Sequence, residues 1–439
     1  MHQNLLIKAA AFLNFLKAYR VWLCSLFIKG KLPPGNLANI YTREIKDQTY
    51  LLKQLNTHGP IIKARMGFFL TICVVGLKQC RQLLVEQDEN LVSVSVEIQP
   101  IVSKGFMRVM KGADHKKYRS ILIRGIDPNA METHRSFHRT IIAKSLKEYG
   151  SKQTKEPSAQ QYINALDTIG QAIMLHLFFG AEYNTPYYDQ LRNVYQKMWD
   201  KNWHFYMSDR QIVAYEELKK VLLSSLKSQN LSTNPAIRES IVGRIHESGS
   251  LDETILGNLI YMVETGRFTV YSLMRWGTKY AVDNPEIFNR ISTDPKTFSN
   301  EKECIAHAFV LETLRLNQIE NLLRRVTKSF VFEGFLFPKG CMARLCLWES
   351  HKDPEVFPDP FTFNPQRFLK NEYSLDEYAP FGLGSHRCPL GGLSIQICRL
   401  YLHYLSSNYT LEPLGNGPLS RGIAHYEPAK EFRVKIHKK

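Results

Sequence analysis

One cysteine near the C-terminus has neighbours that can make it a metal ligand. Cys388 stands in Pro380-Phe381-Gly382-Leu383-Gly384-Ser385-His386-Arg387-Cys388-Pro389-Leu390-Gly391, just ahead of an apolar helical stretch from Leu393 to Leu405. A thiol at the head of a helix lies where the aligned peptide dipoles favour the thiolate. Gly382 and Gly384 let the backbone pass close to something flat, and Phe381 can pack under the loop. Together these parts describe a cradle for a soft metal held through sulfur. The competing reading is a tight turn with a buried structural cysteine, the commoner role of a lone one.

Three further groups have spacings with chemical meaning. Glu312 and Arg315 sit at i, i+3 on one helix face, between apolar neighbours. If buried, such a pair needs a third partner, and Arg367 in Phe363-Asn364-Pro365-Gln366-Arg367-Phe368 is the candidate. His115 and Arg119 lie at i, i+4, two donors on one face that can grip a pair of carboxylates. Leu251 to Val282 reads as one long helix, closed by Asn284-Pro285 and carrying Glu264, Arg267 and Thr269 near its centre.

The elements that must position these residues follow from the rest of the chain. Ile61 to Val75 alternates and is β-branched, which predicts a hairpin. Helical periodicity runs from about 77 to 320, broken by prolines. Short strands are expected at Phe330–Phe337, Met342–Leu347, Tyr409–Glu412 and Phe432–Ile436. The pattern is an α-rich α+β fold. The 439 residues allow two or three domains, or one large fold around a buried cofactor. The net charge of +16 favours anionic partners. The charges are dispersed and no basic run interleaves with aromatics, so nucleic acid is not an expected partner. Eight scattered cysteines without a CxxC pair suggest a reduced, intracellular chain and no zinc site.

Residues 1–35 form a separate unit: an amphipathic helix ended by a hinge at Leu32-Pro33-Pro34-Gly35. A helix over 5–28 would be about 36 Å long. Lys8, Lys17 and Arg20 disfavour insertion, at about 2.5–3.5 kcal/mol for each charge near a membrane centre. Leu5, Ala9, Phe12, Leu16, Tyr19, Leu23 and Phe27 share one stripe, so the helix packs on the protein or lies on a membrane surface. The expected location is cytoplasmic, the alternative being peripheral or N-terminally anchored on the cytoplasmic side of a membrane.

Phe-x-x-Gly-x-His-x-Cys resembles the haem-ligand loop of the cytochrome P450 family. Four fixed positions arise by chance in such a chain on the order of 0.003 times. The likeness extends over roughly residues 36 to 437, through Glu312-x-x-Arg315, the stretch from His351 to Phe368, and the helix start Gly112–Arg119. It implies a single triangular, mostly helical fold with small β regions over 36–439, binding haem b (iron protoporphyrin IX). Cys388 would be the axial thiolate. His115, Arg119, Arg324 and His386 would contact the propionates, with Phe381, Gly382 and Gly266 also against the cofactor. Glu312, Arg315 and Arg367 would form the network that holds the chain before the haem loop. Arg325, beside Arg324, leaves a one-residue ambiguity. The resemblance further implies a small-molecule substrate, dioxygen, a monomer, and a separate electron donor (a ferredoxin or a flavoprotein reductase) docking near Lys111, Lys116, Lys117, Arg387 and Arg399.

Two departures carry weight. The family pattern small-Gly-x-acid-Thr on the long helix aligns with Thr265-Gly266-Arg267-Phe268-Thr269, so the acid is replaced by Phe268. Splitting the O–O bond needs protons. Thr269 can position water, Phe268 cannot supply a proton, and Glu264 one turn back is the candidate substitute. Ordinary monooxygenation with a rerouted proton supply is expected. Phenol or aryl coupling, ring formation or desaturation, and direct use of peroxide, are the alternatives within the family. A non-catalytic haem protein that binds a ligand or senses a gas is the alternative outside it. The second departure is Leu390, where the family usually has glycine; Gly391 follows it. The substrate pocket would involve Arg267, Phe268, Asn321, Leu322 and Ile423 under an aromatic roof with Trp199 and Trp203. Arg267 would pair with an acidic substrate group. A secondary metabolite or lipid-like molecule fits such a pocket.

Overall fold

The computed structural model describes residues 19–94, 105–126, 134–199, 208–227, 234–297, 300–317, 321–415, 420–421 and 426–439. Gly35 is not a free hinge. It opens strand β1 (Gly35–Asn39), which runs parallel to β2 (Ile61–Met66) with Gly35 opposite Lys63. Its φ is 105°, and a Cβ there would meet the Lys63 carbonyl oxygen at 2.5 Å, so glycine is required. Helices α1 (Ile40–Lys46) and α2 (Tyr50–His58) connect the two strands. The alternating stretch forms the expected hairpin, β2 with β3 (Phe69–Val74), Ile61 facing Val74. Helix α3 (Leu77–Glu86) and strand β4 (Leu91–Ser93) follow.

The helical body comes next: α4 (Gly112–Gly125), α5 (Arg135–Lys152), α6 (Ala159–Phe179), α7 (Pro186–Met198), α8 (Asp209–Ser225), α9 (Pro235–Glu239), α10 (Ile241–Glu247), α11 (Glu253–Asp283), α12 (Pro285–Ile291) and α13 (Ile305–Leu316). The chain then returns to the sheet through β5 (Leu322–Val326), the hairpin β6 (Phe330–Phe332) and β7 (Phe335–Phe337), and β8 (Met342–Leu345). β5 and β8 complete a six-stranded sheet of order β1-β2-β3-β8-β5-β4, with β8 parallel to β3. Short helices α14 (Leu347–Ser350) and α15 (Gln366–Lys370) precede α16 (Gly391–Asn408). The chain ends in β9 (Tyr409–Leu414), the two-residue strands β10 (Ser420–Arg421) and β11 (Tyr426–Glu427), and β12 (Arg433–Lys438), which pairs with β9.

The core lies where α6 crosses α11, with α5 and α16 against them. Ser158 and Gln161 close a capping box that starts α6, and Gly180, at φ 69°, ends it. Asp252 caps α11 by accepting from the Ile255 N–H at 2.8 Å, and Pro285 ends the run. Leu166, Ile169 and Ile173 of α6, Leu259, Val263 and Met274 of α11, and Ile397 and Leu402 of α16 are all buried in one cluster. Each contributes about 1.5–3 kcal/mol. The two long helices approach so closely that a Cβ on Gly170 would lie 2.9 Å from the Arg267 carbonyl oxygen. Midway along α11, Phe268 and Thr269 are exposed.

Of the N-terminal helix, residues 19–25 are described and helical. Val21 and Trp22 pack against the sheet cluster and Ser25 is buried. Leu23 and Phe27, on the expected apolar stripe, point outward instead, Phe27 being 90% exposed. Among the described residues no helix is long and apolar enough to cross a membrane.

Candidate active site

The cysteine loop is shaped by its backbone. Gly382 and Gly384 take φ of 84° and 69°, which disfavour any other residue. The Cys388 N–H donates to the Phe381 carbonyl at 2.9 Å and the Arg387 N–H to that of Gly384 at 3.2 Å, closing two turns before α16. Cys388 ends up exposed, close to the helix start, while the other cysteines in the body of the fold are buried. The Phe381 ring lies over Gly391: a Cβ there would fall 2.7 Å from the ring carbons. Leu390 is buried in the main core. The glycine that the packing of this loop requires is thus Gly391, against the Phe381 ring, and not position 390.

The loop is held from behind. The Glu312 carboxylate takes Arg315 in a fork, Nε to Oε2 at 2.7 Å and Nη2 to Oε1 at 2.8 Å, and Arg367 Nε at 3.1 Å. All three side chains are buried. Arg315 Nη1 also donates to the carbonyls of His351 and Pro360, and Arg367 Nη2 to that of Pro358. The triad is the one expected from the sequence, and His351 joins it without a motif of its own. Its Nδ1 meets the Leu347 carbonyl at 2.6 Å, while its Nε2 accepts from the Ala379 N–H at 3.0 Å, one residue before the loop. Burial pushes this imidazole down to about 3, so it stays neutral and serves as donor and acceptor at once. Its only sequence signal is its place before Asp353-Pro354.

Basic side chains converge beside the thiol. Arg119 donates to the Arg387 carbonyl at 2.5 Å, and its charge acts directly on Cys388. The rings of His115 and His386 face each other at 4.0 Å. With Arg324 they line a cavity of about 380 Å³ bounded by Met110, Lys116 and Gly384. Arg324 is buried and Arg325 exposed, which resolves the one-residue ambiguity in favour of Arg324. His386 is pushed down to about 4 by burial and by His115, Arg324, Arg119 and Arg108. Arg108, which no motif marks, is a further basic group at this site.

Four expectations need correction. Gly266 does not face a cofactor: a Cβ there would lie 2.7 Å from the sulfur of Met174 on α6, so glycine serves the helix crossing. Arg267 is not available to an acidic substrate group. It pairs with Glu264, Nε to Oε2 at 3.0 Å and Nη2 to Oε1, and with Asp167 on α6 through Nη1. Glu264 is therefore not a free-standing acid beside Phe268, whose ring meets Tyr271 edge-on at 5.2 Å. Arg399 is buried and cannot belong to a docking surface, whereas Lys116, Lys117 and Arg387 are exposed.

Thr269 is exposed, its hydroxyl donating to the carbonyls of Thr265 at 2.9 Å or Gly266 at 3.2 Å. Leu322 touches the loop, 3.7 Å from where a Gly382 Cβ would be. The side-chain oxygen of Asn321 is buried without a partner. Ile423 and Trp203 lie outside the described residues.

Known proteins with this arrangement decide the family. A profile described as Cytochrome P450 matches residues 246–422. Ent-kaurenoic acid oxidase 2 of Arabidopsis thaliana is 22% identical over 96% of this chain and 94% of its own. Abscisic acid 8'-hydroxylase 1 of Arabidopsis thaliana is 26% identical over 47% of each. Among solved structures, retinoic acid-bound cyanobacterial CYP120A1 superposes with a TM-score of 0.73 at 19% identity, over 94% of this chain and 100% of its own. The chain carries a cytochrome P450 domain over residues 246–422. It is a monooxygenase-class oxidoreductase with haem as cofactor.

The donor set of this cytochrome P450 suits haem. The cofactor combines a sulfur-seeking iron with two carboxylates, and the loop offers a thiol with four basic side chains around it. A thiolate at this position would hold the iron, and His115, Arg119, Arg324 and His386 would hold the carboxylates. Among the described residues no group of three or more His, Cys, Asp or Glu is arranged to hold a bare metal ion.

Proposed function

We propose that this cytochrome P450 inserts oxygen into a terpenoid-type or similar lipid-like molecule, with Cys388 as the haem ligand. One observation carries the reading: Arg119 donates to the Arg387 carbonyl next to the exposed Cys388, and His115, His386 and Arg324 converge on a cavity beside the same loop. When bound, haem supplies the redox centre at which dioxygen is activated, and an axial thiolate favours O–O cleavage.

The chain's own residues do the rest. The head of α16 and the Arg119 guanidinium favour the ionised form of Cys388. Glu312, Arg315, Arg367 and His351 fix the loop so that the sulfur has one position. Thr269 spends its proton on a helix carbonyl, which leaves its oxygen to accept from a water or a reacting group. Phe268 and Tyr271, in edge-on contact, present aromatic surface next to it. The buried oxygen of Asn321, next to Leu322, favours a substrate that brings a hydroxyl or N–H donor. The relatives named for ent-kaurenoic acid and abscisic acid support an oxygenated isoprenoid substrate.

A second reading follows from Phe268. Without an acid at that position, oxidations that insert no oxygen, such as ring formation, coupling or desaturation, are also favoured. Product mass separates the two: gain of one oxygen atom against loss of two hydrogens. Electrons come from a separate donor, for which exposed Lys116, Lys117 and Arg387 offer a basic landing surface. Exposed Leu23, Leu26 and Phe27, beside Lys29 and Lys31, support peripheral contact with an anionic membrane.

The test is the spectrum of the reduced, carbon monoxide-bound protein. Wild type gives the red-shifted Soret band of thiolate ligation and Cys388→Ser does not. A wild-type spectrum without that band overturns the reading. Incubation with ent-kaurenoic and abscisic acids and a surrogate reductase then addresses the substrate.

A further inference from the structure

Asp167, Arg267 and Glu264 form a charged chain through the crossing of α6 and α11. Arg267 holds one carboxylate on each side: Asp167 through Nη1, and Glu264 through Nε and Nη2. Two acids thus share one base. Their exposure is graded, Asp167 at 29%, Arg267 at 20% and Glu264 at 14% of the side chain, so the chain runs from solvent inward. Its inner end is one helical turn from Phe268, where the acid of the family pattern is missing.

The crossing holds this chain rigidly. Gly170, one turn after Asp167, lets the α11 backbone approach at Arg267, and Gly266 makes room for Met174. The surroundings are mostly neutral. Tyr188 and Tyr195 of α7 and Tyr271 of α11 face the acids, and among the described residues Arg192 of α7 is the one further cation that acts on Asp167. Tyr195 is anchored to the Ile260 carbonyl at 3.1 Å. Burial shifts both carboxyls upward from the ordinary carboxylate value, against the opposing pull of Arg267.

We propose that Asp167, Arg267 and Glu264 are a proton relay that replaces the acid lost at Phe268, with Asp167 as its solvent-side entry. The inference rests on the monooxygenase reading. Asp167 takes a proton from solvent onto a carboxyl oxygen. Arg267 holds the two carboxyls in register. Glu264 releases a proton from its own carboxyl oxygen to a water on the Thr265–Thr269 side of the helix, and a second water bridging the two carboxyls carries the replacement proton from the Asp167 carboxyl oxygen to that of Glu264. One proton enters for each that leaves, and no electron moves within the chain. The role singles out Asp167, which belongs to no motif and lies far from α11 in sequence.

Infrared difference spectra of full-length, haem-loaded protein test this without turnover. Wild type should show a protonated-carboxyl band that titrates above the ordinary carboxylate range. The band should be lost or shifted in both Asp167→Asn and Glu264→Gln, and restored in Asp167→Glu. In turnover, Asp167→Asn should divert on the order of tenfold more electrons to peroxide and enlarge the solvent deuterium effect, with Asp167→Glu close to wild type. A purely structural ion pair would lower the melting temperature and change neither the band nor the deuterium effect, which overturns the relay. The reduced carbon monoxide spectrum of the same samples separates the two ideas. A thiolate band without the carboxyl band overturns the relay alone, and a wild type without the thiolate band overturns both.

Discussion

The imidazoles of His115 on α4 and His386 in the cysteine loop face each other at a ring distance of 4.0 Å, with Arg119 and Arg324 close by. One helix, one loop and one strand deliver these groups to one place, and each can donate. Such a set is stabilised by an anion that accepts from several at once.

Haem retention should therefore depend on this pair. Each donor to a charged group contributes about 1.5–3 kcal/mol. Replacing His115 or Arg324 by alanine should speed haem transfer to a scavenging globin by roughly ten- to a hundredfold. The thiolate band of the remaining holoprotein should persist, because Cys388 is untouched. Unchanged transfer rates would remove these residues from the cofactor site.

Glu312 is the hub of the network behind the loop. Arg315 and Arg367 both end on its carboxylate, and the Asn364 N–H donates to it at 2.9 Å. Glu312→Gln leaves two buried guanidiniums short of a counter-charge, a loss of about 3–5 kcal/mol. Arg315→Lys keeps the charge but loses the fork and the contacts to His351 and Pro360. Both should lower the denaturant midpoint and weaken the thiolate band, since the loop is no longer fixed. A stable variant with an intact band would contradict the network's role.

Much of this site was legible because its parts are local. Glu312 with Arg315, His115 with Arg119, and the loop from Phe381 to Cys388 each lie within one or two turns of chain, where spacing states geometry. What was not legible depends on long-range contact. Asp167 reaches Arg267 only because two glycines let α6 and α11 touch, and nothing near either residue records that. Gly266 looked like part of a cofactor surface and is a packing glycine. Arg399 looked exposed from its charge and is buried. The hairpin Ile61–Val74 was readable from alternation, whereas the parallel pairing of β1 and β8 to it was not.

Acid should destabilise the fold through a cluster away from the site. His134 of the loop before α5 meets His176 of α6 at 3.0 Å, and neither ring nitrogen of buried His138 has a partner. Burial pushes His138 and His176 down to about 3, reinforced in both by the neighbouring His134. The unfolded chain binds protons below its ordinary value of about 6.5, the folded one does not. Stability is thus fully present above pH 6.5 and lost as pH falls from there towards 3, by several kcal/mol. His138→Phe should flatten the acid limb of melting temperature against pH between 6.5 and 4.5. An identical limb in that variant would place acid sensitivity elsewhere.

Leu390 and Gly391 make a sharper test of how the loop meets the helix. Leu390 is buried in the core, so Leu390→Gly, although it restores the family's usual residue, removes packing of about 2–5 kcal/mol. Gly391→Ala places a methyl group 2.7 Å from the Phe381 ring, which must move. Phe381 accepts from the Cys388 N–H through its carbonyl, so a displaced ring drags on the backbone that holds the sulfur. Gly391→Ala should therefore shift or split the thiolate band, while Leu390→Gly lowers the melting temperature and leaves the band in place. Combining Gly391→Ala with Phe381→Leu, which clears the space, should recover the band. Failure of that rescue would mean that the ring is not what positions the cysteine.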